Sequence, residues 1–68
     1  MKQTRTLKGR EIFIEILMIG AYAKVSAIDS LTGTEVSITG PASAERASLE
    51  AAAVNKLEFV LKKSAGKS

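Results

Sequence analysis

Residues 12–28, IFIEILMIGAYAKVSAI, are apolar almost throughout, with only Glu15, Lys24 and Ser26 interrupting them. In a chain of 68 residues this stretch narrows the possible folds more than any other feature. A small antiparallel sheet ordinarily alternates apolar and polar residues, because one of its faces meets water. This stretch scarcely alternates. Whatever sheet it builds is apolar on both sides.

The residues on either side of Gly20 are rich in Ile, Val and aromatics, in runs too short and too β-branched to favour helix, so residues 11–19 and 22–29 read as strands. Gly20-Ala21 supplies a two-residue hairpin turn of the Gly-X kind, which pairs Ile19 with Tyr22, Met18 with Ala23 and Ile16 with Val25. One face then carries Ile12, Ile14, Ile16, Met18, Ala23, Val25 and Ala27, and its alanines leave room for a helix. The other carries Phe13, Leu17, Ile19, Tyr22 and Ile28, diluted by Glu15, Lys24 and Ser26.

Residues 34–39, TEVSIT, alternate and make a third strand. Ser30 to Thr34 reads as a three-residue hairpin loop closed by a left-handed Gly33. That loop pairs Ile28 with Val36 and puts Val36 and Ile38 on the second face. A one-residue slip moves both to the first face, and the sequence leaves the two registers open. Gly40-Pro41 ends the sheet, since proline cannot donate to a ladder. From Ser43, read as the N-cap with Glu45 in the first turn, the residues make a strong helix pattern. Leu49, Ala53, Leu57, Val60 and Leu61 form its apolar stripe, with Val54 on the flank. The expected fold is α+β: a three-stranded antiparallel β-meander followed by one C-terminal helix. Its expected organisation is a mobile basic arm over residues 1–9, a single small domain over 10–63 and a disordered tail over 64–68. The arm and tail, lacking apolar anchors, are expected to be dispensable for folding.

A chain this short buries only about 60% of the surface that its unfolded form exposes, so its own core is marginal. Such chains usually recruit a disulfide, a metal or a partner subunit. The sequence has no Cys and no His, which excludes disulfides and the usual ligands of Zn, Cu and Fe. Self-association is the remaining source of stability. The composition fits the cytoplasm, and neither a secretory signal nor a membrane-spanning run is visible.

Net charge is +3, but it is unevenly spread. Lys2, Arg5, Lys8 and Arg10 stand at one end and Lys62, Lys63 and Lys67 at the other, while residues 11–61 hold three basic and seven acidic residues. Basic ends bind phosphates without a folded surface. The aromatics Phe13, Tyr22 and Phe59, however, do not interleave with them as a stacking platform requires.

Without His or Cys, acid–base chemistry falls to Asp, Glu, Lys or Tyr. Glu15 and Lys24, diagonal across the first hairpin, read as a cross-strand charge pair rather than a catalytic one. Thr32-Gly33-Thr34 lacks the spacing and lysine of a phosphate loop and reads as a turn. Ser43 and Arg46 at the helix start make a candidate anion site, although ordinary capping accounts for the same residues. Phe59 points nearly opposite the helix stripe and is either a half-exposed aromatic or a subunit contact.

Gly20, Tyr22, Lys24, Val25, Ile28-Asp29, Thr32-Gly33-Thr34-Glu35-Val36 and Gly40-Pro41, followed by NKLEFVL, carry a resemblance to a family of very short bacterial proteins of unknown function. The resemblance covers residues 10–61 and implies a self-contained small domain. It implies no activity and no site residues.

The helix can cover one sheet face, and the other needs a partner. The expectation is therefore a non-catalytic homo-oligomer, a dimer by preference, with an accessory or protein-interaction role. Its interface is Phe13, Leu17, Ile19, Tyr22 and Ile28, joined by Phe59. No cofactor and no metal are expected. Weak, sequence-independent nucleic-acid binding through the basic ends is the alternative.

Overall fold

The computed structural model describes residues 2–65, arranged as four strands and one helix in the order β1 (Lys2–Leu7), β2 (Arg10–Ile19), β3 (Tyr22–Asp29), β4 (Glu35–Pro41) and α1 (Arg46–Ala65). The strands form one antiparallel meander in chain order, and α1 packs against β3 and β4 on one side of it. The α+β class holds, with four strands in place of three.

The extra strand lies within the segment expected to be a mobile arm. Lys2 to Leu7 pair with Glu15 to Arg10 along β2. The connecting turn is Lys8-Gly9, with both residues left-handed at φ 52° and 82°. Positive φ at both central positions belongs to the turn whose twist suits a two-residue hairpin. β1 is an edge strand, anchored to the core by Leu7 and to the helix by a hydrogen bond from Gln3 Nε2 to Glu50 Oε2. At the other end the helix extends to Ala65, so Ser64 and Ala65 do not belong to the expected tail, and residues 66–68 lie outside the described residues.

The β2–β3 hairpin follows the expected register, with Ile19 opposite Tyr22 and Gly20 left-handed at φ 57°. The β3–β4 hairpin takes the slipped register. Ile28 faces Glu35, Ala27 faces Val36 and Val25 faces Ile38, so Val36 and Ile38 lie on the helix side. The cause is a loop one residue longer than three. Asp29 N–H donates to Thr34 O, and Gly33 N–H donates to Asp29 O across residues 30–33. Asp29 also holds the loop from within, because its Oδ2 accepts from Thr32 Oγ1 at 2.7 Å and from Thr32 N–H at 3.2 Å.

The core is the helix-facing side of the sheet: Ile12, Ile14, Ile16, Ala23, Val25, Ala27 and Val36 against Ala53, Val54 and Leu57. Leu49, Val60 and Leu61 pack at its border, so the predicted helix stripe faces the sheet. β4 runs through Gly40 and Pro41 rather than ending before them, which an edge strand tolerates. The helix begins at Arg46, and Glu45 rather than Ser43 stands at the cap position. Glu45 O accepts from Ser48 and Leu49 N–H, and Glu45 Oε1 accepts from Ser48 Oγ at 3.3 Å.

Candidate interaction surface

Alternation along β2 sends Ile12, Ile14 and Ile16 into the core and Phe13, Glu15, Leu17 and Ile19 to the opposite side. No element of the described residues covers that side. Phe13 is 44% exposed, Leu17 56%, Ile19 42% and Tyr22 51%, with Ile28 half-buried among them. The five residues expected to share a face do share one.

The strand registers arrange this face in cross-strand rows. Thr4, Phe13, Ile28 and Glu35 form one; Lys2, Glu15, Ser26 and Ser37 the next; then Leu17, Lys24 and Thr39; then Ile19, Tyr22 and Pro41. Two apolar groups, Phe13 with Ile28 and Ile19 with Tyr22, thus flank a polar belt with Leu17 at its edge. Lys2 Nζ lies 3.8 Å from Glu15 Oε2 within the belt, and the hydroxyls of Ser26 and Ser37 are 3.0 Å apart. Glu15 takes Lys2 as its ion-pair partner, not the diagonal Lys24. Beside Phe13 and Ile28 the surface sinks into an open hollow of about 420 Å³, also lined by Lys2, Thr4 and Glu15.

Phe59 is separate from this surface. It is 65% exposed on the outer side of α1, two residues from the fully buried Leu57, with Lys63 Nζ 6.0 Å from its ring centroid. The helix lies between Phe59 and the sheet, so one flat contact cannot include both Phe59 and Phe13.

The other sequence-derived site also takes definite form. Ser43 is exposed in the turn before the helix, where Ala44 N–H donates to Pro41 O, and Arg46 is the first helical residue. The Glu45 carboxylate stands at the helix end that an anion would occupy, and it opposes one by charge. The hollow that Arg46 helps to line is otherwise apolar, formed by Ile16, Met18, Ala23, Ala42, Ala44 and Leu49.

Three of the four basic residues near the N-terminus have acidic partners: Lys2 with Glu15, Lys8 with Glu58 and Arg10 with Asp29. Lys8 Nζ lies 2.6 Å from Glu58 Oε2, and this hydrogen bond and charge, with the charge of Lys62, hold the Glu58 carboxyl below its ordinary range. Asp29 is fully buried. Burial pushes its carboxyl up, but the Thr32 hydroxyl and amide, the Arg10 charge and the Leu31 amide outweigh that and hold it below its ordinary range. Its Oδ1, 3.2 Å from Arg10 Nε, receives no aligned hydrogen bond and is held by charge alone. Sequence reasoning missed this pairing because it grouped Arg10 with the basic residues of the N-terminal end and sought no acidic partner for it.

Among the described residues, no helix is long and apolar enough to cross a membrane. The molecule is thus a small α+β domain with one face of its sheet covered and the other open, its exposed apolar residues set among polar and charged ones. The chain belongs to the family described as a domain of unknown function (DUF6898), whose model matches residues 9–64. No curated protein and no solved structure matches it.

Proposed function

We propose that this chain is a non-catalytic, self-associating module of the cytoplasm, a two-fold dimer joined through the open sheet face, with an accessory or protein-interaction role. The observation that carries the reading is the exposure of Phe13, Leu17, Ile19 and Tyr22 together on one flat side. Large apolar side chains gathered and exposed on one face, even on either side of a polar belt, are what an interaction site presents. Strands averaging roughly 25 Å in a sheet roughly 19 Å wide offer on the order of 500 Å² of flat area per copy. Two copies bring about 1,000 Å² together, the lower bound for a specific interface. The face holds acids and bases in near balance, Lys2 and Lys24 against Glu11, Glu15 and Glu35, which suits a like partner better than a highly charged one.

The alternative, phosphate binding by the basic ends, draws less support. The acidic partners of Lys2, Lys8 and Arg10 already offset the charge that would release counterions from a polyanion.

Leu17→Lys tests the reading by placing a charge beside the Ile19–Tyr22 group of the proposed contact. The expected product is an unfolded or aggregating chain. A Leu17→Lys protein that is folded and has the same mass in solution as the wild type would refute the interface.

A further inference from the structure

Resting on that dimer reading, we infer that the two-fold axis runs along the strands between β2 and β3. Each row of the open face then lies on the same row of the other copy, and β2 of each copy covers β3 of the other.

The registers separate the ways in which this face meets a second copy of itself. Sheets packed in the aligned way keep their strand directions within about 30° of each other, so the axis runs either across the strands or along them. An axis across the strands holds each strand over its own copy and reverses the rows. Set midway, it lays Glu15 against Leu17 of the other copy and Glu35 against Pro41, two carboxylates on groups that offer them no hydrogen bond. Set over the Glu15 row or the Lys24 row, it brings like charges together.

An axis along the strands keeps the rows and exchanges the strands. Over β2 it sets Glu15 against Glu15, and over β3 it sets Lys24 against Lys24. Beyond these strands it leaves the apolar residues of β2 or β3 uncovered. Between them it avoids all three faults. Phe13 meets Ile28 of the other copy and Ile19 meets Tyr22, apolar against apolar. Glu15 meets the Ser26 hydroxyl, Glu35 meets Thr4, and Leu17 meets the aliphatic stem of Lys24. Each contact occurs twice, as an isologous interface requires.

Two features of the single chain fit this placement. Glu35 has no ion-pair partner in its own chain among the described residues, and the axis brings it within one row of Lys2 of the other copy. Lys2 is free to turn towards it, since its contact with Glu15 is exposed and spans 3.8 Å. The hollow at Phe13 and Thr4 receives Ile28 and Glu35 of the other copy, an apolar side chain on its apolar wall and a carboxylate beside Lys2. The dimer is then an eight-stranded sandwich with a helix on each outer side.

The ends of the dimer report the axis. Rows that lie on themselves bring both Gly20-Ala21 turns to one end, whereas reversed rows put them at opposite ends. The chain has no cysteine, so Ala21→Cys carries a single nitroxide label on that exposed turn. Leu31→Cys, in the exposed loop at the other end, gives a second reading that does not depend on the first turn. Double electron–electron resonance should give a distance on the order of 20 Å at each site, set by about 10 Å between stacked sheets and the two label arms. Reversed rows would separate the labels by roughly 30 Å or more, the length of a strand such as β2 at about 3.3 Å per residue. A distance that long at either site, beside a dimeric wild type, would overturn this axis and leave the dimer standing. A wild-type chain that sediments at 7.2 kDa would remove both.

Discussion

Leu49 of the helix lies so close over Gly40 of β4 that a methyl group at position 40 would stand 2.5 Å from Leu49 Cδ2. Gly40 has an ordinary backbone conformation, so glycine is needed there for the approach of the helix and not for a turn. Ala23 lies directly opposite Gly40 on β3, and Ala27 further along that strand continues the floor on which α1 rests.

Gly40→Ala should therefore destabilise the fold by up to about 1 kcal/mol, the cost of turning the end of the Leu49 side chain aside. The same change made in a Leu49→Ala background should cost close to nothing, since the obstructing atom is gone. A double-mutant cycle followed by urea denaturation reads this directly; additive effects would mean that the contact is not responsible.

The buried Asp29 predicts a pH dependence. Its carboxyl is held below the ordinary value of 3.8, so it binds a proton less readily when folded than when unfolded. Its contribution is complete above that ordinary value and is lost as pH falls from there towards the folded-state value. Asp29→Asn should flatten the acid limb of the stability curve below about pH 4, where the ordinary carboxyl value lies. Thermal melts of the two proteins across that range check it, and parallel curves would count against the assignment.

Removing residues 1–9 gives the third prediction, and the pairing of β1 with β2 argues for the opposite outcome to the one expected of an arm. Without β1 the ladder on β2 is left open, Leu7 no longer packs on the core and the Gln3–Glu50 hydrogen bond is lost. A bare strand edge beside apolar residues invites association with other chains. A chain starting at residue 10 should unfold at lower denaturant concentration and scatter light on heating. Stability equal to that of the full chain would show that β1 is dispensable.

The apolar residues made most of the fold legible. Gly20 between two β-branched runs specified the first hairpin and its register, and the helix stripe from Leu49 to Leu61 lies against the sheet as its spacing implied. β1 escaped notice because an edge strand exposed on nearly its whole length needs no apolar pattern: KQTRTL has Leu7 alone. Its available signals were the β-favouring Thr4 and Thr6 before Lys8-Gly9, a turn pair less marked than Asn-Gly. The second hairpin turned on one residue of loop length. Asp29 bonding forward to Thr32 decides that length, and the sequence does show an Asp three residues ahead of a Thr. The candidate surface was legible in its five sheet residues. Phe59 was misplaced with them because a helical wheel tells which way a residue points from the stripe, but not which side of the sheet the helix occupies.

The dimer is the central claim, and sedimentation equilibrium of the wild-type chain at micromolar concentration tests it most directly. The expected result is a folded species of twice the 7.2 kDa chain mass. A folded, soluble species at 7.2 kDa would contradict the account, because the open face would then be stable in water on its own.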